Sequence, residues 1–241
     1  MRKKAPTAVL CIIGNEILCG HTIDTNGSYM ARRLHEIGVD VERIMVLPDR
    51  LDVIVEFLKI WLHRCDYIFT SGGLVPTHDD LTREAVARAL GLELKPHPDA
   101  EKALQDFYGK KINPARLSMA LAPEGCELIE NPVSAAPGFV AGNIFVLAGV
   151  PHIFEIMFES VAPRLNGMPR TVVEIDTRAE EGRFAHWLAD LEKLHPEVDV
   201  GSYPKLGDKR RKSVIRLSSS HPECIVEIEK EIREFLPKVE D

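Results

Sequence analysis

A hydrophobic pattern that switches period again and again before Gly91 limits this chain to few folds. The run TAVLCII, Thr7 to Ile13, reads as a buried strand, and Tyr29, Leu34 and Ile37 then recur at near-helical spacing behind the turn-forming Asp24-Thr25-Asn26-Gly27. VDVERIMVL, Val39 to Leu47, is a second strand. A helix from Leu51 to about His63 follows, with Leu51, Ile54, Val55, Leu58, Trp61 and Leu62 on its apolar face. DYIFT, Asp66 to Thr70, is a third strand, and a helix from about Leu81 to Leu90 comes after it. Strands alternating with helices need crossover connections. These build an α/β fold, a mostly parallel sheet with helices on both faces.

Beyond Gly91 the pattern predicts helices over Asp99 to Phe107 and around Pro114 to Met119. A β-hairpin within Gly138 to Pro151 turns at Gly142-Asn143, and a helix runs from His152 to Val161. The stretch PRLNGMPR, Pro163 to Arg170, reads as a linker, which divides the chain into an α/β domain over 1–165 and a small α+β domain over 171–241. The second domain is expected to run strand (Thr171 to Ile175), helix (Glu180 to Leu194), strand (Val198 to Tyr203), strand (Ser213 to Ser218), helix (Pro222 to Leu236).

Charge and cysteine usage exclude some functions. With 30 Lys plus Arg against 37 Asp plus Glu, the net charge is −7, so no nucleic-acid partner is expected. The basic run KLGDKRRK, Lys205 to Lys212, reads as a charged tip between two strands. Five scattered cysteines without a C-x-x-C pair fit a reducing, cytoplasmic setting. The apolar run behind the basic start breaks at Gly14-Asn15-Glu16 with no cleavage pattern, and nothing approaches membrane-spanning length.

In an open parallel sheet, ligands bind outside the carboxyl ends of the strands, where loops meet helix N-termini that favour anions. Polar residues gather at three such ends. Gly14, Asn15 and Glu16 follow the first strand, with Gly20, Asp24, Thr25 and Asn26 a little further on. Pro48 and Asp49 follow the second, and TSGGLVPTHDDLT, Thr70 to Thr82, follows the third. Asp49 and Asp80 each fit a helix N-cap, but the adjacent pair Asp79 and Asp80 exceeds the needs of one cap. Gly72 and Gly73 let backbone N–H groups approach an anion, and Ser71 and Thr77 add hydroxyl donors. Carboxylates beside a phosphate require a cation between them, which points to a hard divalent metal at Asp49, Asp79 and Asp80. His78 is a candidate ligand, proton carrier or phosphate contact, against the alternative of a solvated loop residue.

These motifs resemble the CinA-like branch of the MoaB/Mog molybdopterin-binding superfamily. Gly72, Gly73, Pro76, Thr77, Asp79, Asp80 and Thr82 match its GGxGPTxDDxT-type loop. Gly14, Glu16, Gly20, Asp24, Thr25 and Asn26 match its first loop, and PGF (Pro137 to Phe139) and LAGVP (Leu147 to Pro151) resemble later elements. The VGSYPK strand and the α+β pattern after Arg170 are similar to the small second domain of CinA-type proteins. The amidase domain of long CinA proteins has no counterpart, so nicotinamide-mononucleotide deamidation is not expected. Three positions depart from the pattern: Val75 stands where the loop has glycine, Ala148 where LPGVP has proline, and Ile153 where many relatives have glutamate.

The resemblance implies a metal-dependent pyrophosphatase acting on a nucleotide cofactor such as ADP-ribose or FAD, with magnesium, cobalt or manganese. Asp49 and Asp80 would be catalytic, while Gly14, Glu16, Asp24, Asn26, Ser71, Gly72, Gly73, Thr77 and His78 would contact the ligand. The alternatives are a protein of molybdenum cofactor biosynthesis that binds molybdopterin, and a non-catalytic binding module whose loop Val75 has closed. In each case the ligand is a small nucleotide or pterin, the chain forms a homo-oligomer, and no membrane is involved.

Overall fold

The computed structural model describes residues 5–74, 81–205 and 212–240. Its first elements are β1 (Thr7–Ile13), α1 (Asn15–Leu18), α2 (Asn26–Ile37), β2 (Asp40–Leu47), α3 (Leu51–Trp61), β3 (Tyr67–Ser71) and α4 (Thr82–Leu90). Every residue of β1 is buried, and the strand pairs in parallel with β2 on one side and β3 on the other. The connections from β1 to β2 and from β2 to β3 therefore run in opposite directions. Right-handed crossovers then put α2 and α3 on opposite faces of the sheet. The packing agrees: Val9, Cys11 and Ile13 of β1 share a core with Ile54, Phe57 and Leu58 of α3 and Ala85 and Val86 of α4. On aromatic residues the other contacts are equally plain, with the Phe69 ring 5.7 Å from Phe158 and Tyr29 edge-on to Phe154 and Phe158.

The chain continues through β4 (Leu94–Pro96), α5 (Pro98–Tyr108), α6 (Pro114–Leu117), β5 (Leu121–Pro123), β6 (Glu127–Ile129), β7 (Gly138–Ala141), β8 (Ile144–Leu147) and α7 (Pro151–Val161). β4 and β5 pair with each other apart from the main sheet. β7 and β8 form the expected hairpin, with Ala141 opposite Ile144 and Gly142 at φ 60° in the two-residue turn. β8 also pairs in parallel with β3, from Ile68↔Ile144 to Ser71↔Leu147. The sheet order is thus β2-β1-β3-β8-β7-β6, and β8 supplies a fourth parallel strand end.

One local expectation changes. Asn26 and Gly27, read as turn residues, open helix α2, because Asp24 Oδ1 accepts the Gly27 N–H at 3.0 Å and satisfies a donor of the first turn.

The remaining elements are β9 (Thr171–Thr177), α8 (Ala185–Leu194), β10 (Asp199–Pro204), β11 (Ser213–Ser219) and α9 (Pro222–Phe235). The antiparallel sheet β10-β11-β9 sets Ile175, Ile215 and Leu217 against Leu188 and Leu191 of α8 and Ile225, Ile228 and Ile232 of α9. Trp187 and Phe235 stack at 3.9 Å. The helix expected from Glu180 begins at Ala185, after a 3-10 turn over Glu181–Arg183. Most of the basic run Lys205 to Lys212 lies outside the described residues. The chain forms two compact units, Met1–His35 with Val39–Gly167, and Glu36–Gly38 with Met168–Asp241. Among the described residues no helix is long and apolar enough to cross a membrane.

Candidate functional site

A cleft of about 300 Å³ opens at the carboxyl ends of β1, β2, β3 and β8. β1 sits between β2 and β3, so chain connections diverge here and leave a crevice, the position at which open α/β sheets bind ligands. Gly14, Glu16, Asn26, Asp49, Ser71, Gly72 and Gly73 all line it, as do Gly149 and Val150.

Asp49 is not the cap of α3. That helix has Arg50 at its N-cap position without a side-chain cap bond, while Asp49 Oδ2 reaches across to accept the Asn15 N–H at 2.8 Å. The carboxylate is therefore held against the start of α1, beside Glu16. Glu16 is exposed, and its carboxylate folds back over Gly14, where a Cβ would lie 2.5 Å from Oε1.

Gly72 and Gly73 have φ of 107° and 69°, in the region that favours glycine. A Cβ on Gly72 would collide with the Ile13 carbonyl oxygen, and one on Gly73 with the Thr82 hydroxyl. Thr82, fully buried, donates to Gly72 O at 3.1 Å and so fastens the start of α4 to the turn. The Gly72 N–H donates to Leu147 O at 3.3 Å within the sheet, so of the two glycine donors expected at an anion, this one is already engaged.

Asn26 and Ser71 serve as a tie rather than as open donors. The Asn26 Nδ2 group donates to Ser71 Oγ and to Gly149 O, both at 2.8 Å, and the Ser71 hydroxyl contacts Ala148 O at 3.5 Å. Both residues are buried, Asn26 with 6% and Ser71 with 2% exposure. They join the N-terminus of α2 to the ends of β3 and β8. Further along α2, Arg33 grips Glu159 of α7 with Nε at 2.7 Å and a second nitrogen at 3.0 Å, and the Tyr29 hydroxyl donates to Glu159 at 2.7 Å. The Arg33 guanidinium holds the Glu159 carboxyl below its ordinary range, while burial and Glu159 push the Tyr29 phenol up to about 12.

Asp24 does not join the cleft. It lines a neighbouring recess with Thr25, Ser28, Tyr29, Arg32 and Glu155. Thr77, His78, Asp79 and Asp80, together with Val75, lie outside the described residues. Gly149 and Val150 were missed as site residues. Their signal was the LAGVP stretch, but a strand read only as half of a hairpin offers no reason to count its end among the parallel ones.

Among the described residues no group of three His, Cys, Asp or Glu side chains gathers as a metal site. Glu16 and Asp49 are the carboxylates on the cleft wall, and these oxygen donors suit a hard divalent cation.

A family model described as "Probable molybdopterin binding domain" matches residues 9–167, and one described as "FAD synthase, middle domain" matches residues 169–240. A protein of Aeropyrum pernix is 38% identical over 225 residues, covering 88% of this chain and 84% of its own. A CinA-like protein of Citrifermentans bemidjiense is 42% identical over 163 residues, which are 64% of this chain and 39% of the relative. The crystal structure of the protein CinA from Thermoplasma acidophilum shares 37% identity at a TM-score of 0.62, over 66% of this chain and 98% of that one. The chain belongs to the CinA-like branch of the MoaB/Mog superfamily. Its segment from β1 to α7 is the molybdopterin-binding-type domain of that family, and the cleft lies within it. The CinA-type pattern in TSGGLVPTHDDLT is thus anchored in the fold at Gly72 and Gly73 on one side and at Thr82 on the other.

Proposed function

We propose that this chain is a metal-dependent pyrophosphatase that acts on a nucleotide cofactor such as ADP-ribose or FAD. One observation carries the reading: a single cleft brings the left-handed turn at Gly73 and the N-terminus of α7 together with the carboxylates of Glu16 and Asp49. The turn and the helix end favour a phosphate, and the carboxylates favour a cation beside it. The match of residues 169–240 to the middle domain of FAD synthase supports a nucleotide ligand.

In this reading Asp49, Asp79 and Asp80 would hold magnesium, cobalt or manganese, which would supply neutralisation of phosphate charge and a more acidic water. The Asn15 N–H fixes one Asp49 oxygen, so the carboxylate is oriented before ligand arrives. Gly73 and the first turn of α7 would hold the phosphate, with Thr77 and His78 as further ligand contacts proposed from the sequence, and the Asn26–Ser71 tie keeps the wall rigid. Hydrolysis of ADP-ribose and FAD with each metal tests this. Asp49→Ala and Asp80→Ala should each lower the rate at least about a hundredfold. Unchanged rates in both variants would end the proposal.

The description of the matching family model favours a second reading, a molybdopterin-binding protein of molybdenum cofactor biosynthesis. Calorimetry with molybdopterin under reducing conditions tests it, and no heat of binding would count against it. A non-catalytic module closed by Val75 is the third. It predicts that Val75→Gly gains hydrolysis that the parent chain lacks.

A further inference from the structure

Away from the cleft, a groove of about 890 Å³ runs between helix α5 and strand β6, at the edge of the sheet opposite β2. On the helix side Asp99, Ala100, Ala103, Asp106 and Phe107 recur at three- and four-residue spacing, which places them on one face. On the strand side lie Cys126, Glu127, Leu128 and Glu130. We infer that this groove binds a cationic peptide segment of another protein, which adds to β6 as an extended strand with its Lys or Arg side chains against the acids of the groove. The inference is independent of the phosphate reading of the cleft.

Strand pairing leaves β6 able to accept a further strand. The Ile68 N–H donates to Asn143 O at 2.9 Å, so Asn143 and Phe145 turn their peptide groups to β3, and Ile144 and Val146 turn theirs to β7. Ala141 and Phe139, which lie opposite, are then the hydrogen-bonded partners on β7. Gly138 and Val140 therefore face β6, where they meet Ile129 and Glu127. Leu128, between those two, points its N–H and C=O outward along the open edge. Among the described residues no loop closes over these two groups with a backbone hydrogen bond. From Asp99 to Phe107 the helix wall is about 12 Å long, the span of about four extended residues. A strand as short as β6 is a poor template by itself, so a partner must also use the side chains of the groove.

Those side chains state the partner's chemistry. Of the acids on the walls, Glu127 is engaged by Arg164 at 2.6 Å, while Asp99, Asp106 and Glu130 have no ion pair among the described residues. No Lys or Arg lines the groove, and His97 uses Nδ1 to accept the Asp99 N–H at 3.3 Å, so that nitrogen carries no proton there. Uncompensated carboxylates around an apolar floor attract a cation and repel an anion. Ala100 and Ala103 keep the floor shallow, and Phe107, 53% exposed, offers its ring to an aliphatic or cationic side chain. Successive side chains of an added strand point to opposite faces, so basic residues at every second position gather their charges on one side, toward the acids. A small cation would use the acids but leave the Leu128 edge unpaired; a peptide backbone meets both.

Fluorescence anisotropy of the full chain with labelled Lys-Val-Lys-Val-Lys, acetylated and amidated at its ends, tests this. The peptide should bind saturably, and Lys-Lys-Lys-Val-Val, of the same composition, at least about tenfold more weakly. N-methylation of alternate amides should abolish binding for one of the two sets and leave it within about threefold for the other, because only one set faces β6. Asp106→Lys and Glu130→Lys should each weaken binding at least about fivefold, whereas Gln105→Lys, on α5 but off the groove, should leave it within about twofold. The inference is overturned if the peptide does not bind, if the two sequences bind equally, if the two methylated sets behave alike, or if the groove variants behave as Gln105→Lys does. It is also overturned if Asp106→Lys changes the mass of the chain in solution, since the groove would then be an interface between copies.

Discussion

Exchanging Asn26 for aspartate replaces one NH2 group by oxygen, and the structure specifies what that does. The amide nitrogen donates to Ser71 Oγ and to Gly149 O at 2.8 Å, in a position with only 6% exposure. In Asn26→Asp the Ser71 hydroxyl can turn to donate to the carboxylate. Gly149 O then loses its donor and faces an oxygen. A lost hydrogen bond costs about 1 kcal/mol, and the new carboxylate oxygen at this buried position, an acceptor without a donor on the Gly149 side, costs ~1–3 kcal/mol more, so the loss is about 2–4 kcal/mol. At about 2–4 °C per kcal/mol for a domain of this size, Tm should fall by roughly 4–16 °C at neutral pH. The deficit also depends on pH. Burial and the facing carbonyl favour the protonated acid, which can donate again, so the folded pKa lies above the unfolded one. The stability of such a group is fully present below the unfolded pKa and is lost as pH rises through the folded pKa. Melts followed by circular dichroism between acid and neutral pH should show Asn26→Asp approaching the parent at low pH and falling away above it. Asn26→Ala should show a deficit without that pH dependence. A neutral-pH Asn26→Asp melt within about 2 °C of the parent, less than 1 kcal/mol, would refute the reasoning.

Other expectations follow from single features. Gly72→Ala should destabilise by more than Gly91→Ala: both have positive φ, which costs about 1–2 kcal/mol with a Cβ, but only at Gly72 does that Cβ meet the Ile13 carbonyl, whereas at Gly91 it meets open space. Equal losses in thermal melts would contradict this. Tyr29, with its phenol raised from 10.0 to about 12, contributes stability that is present below pH 10 and lost as pH rises to about 12. Tyr29→Phe should remove that component of the alkaline transition. Glu159 shifts the other way: its contribution is present above the ordinary pKa of 4.5 and is lost as pH falls through the lowered folded value. Because the pair with Arg33 is partly exposed, Glu159→Gln should cost no more than about 1 kcal/mol at pH 7, read from urea melts at two pH values.

Much of the α/β layer was legible because its signals are local. β1 occupies Thr7–Ile13 as the apolar run indicated, and α3 and α4 begin within a residue of where the helical period begins. The hairpin turn at Gly142 is a property of two residues in sequence. Elements of three or four residues, such as β4, β5, β6 and α1, are too short to show a period at all. Within the site, Gly14, Glu16, Asn26, Asp49, Ser71, Gly72 and Gly73 were named from strand ends and motifs, and they meet in one cleft.

The amino-acid sequence by itself determined the strand and helix alternation, the chemistry of the loops and the side of the sheet on which they gather, because period and turn propensity act over a few residues. Tertiary structure alone decided that β8 runs beside β3, since that pairing joins segments far apart in the chain and depends on how both faces pack. It decided too that Asp49 reaches Asn15 instead of capping its own helix, that Asp24 faces a different recess, and that Ser71 and the Gly72 N–H bond within the protein. A donor or carboxylate can be recognised from its type, but its partner is fixed by the geometry of neighbours that only the folded chain supplies.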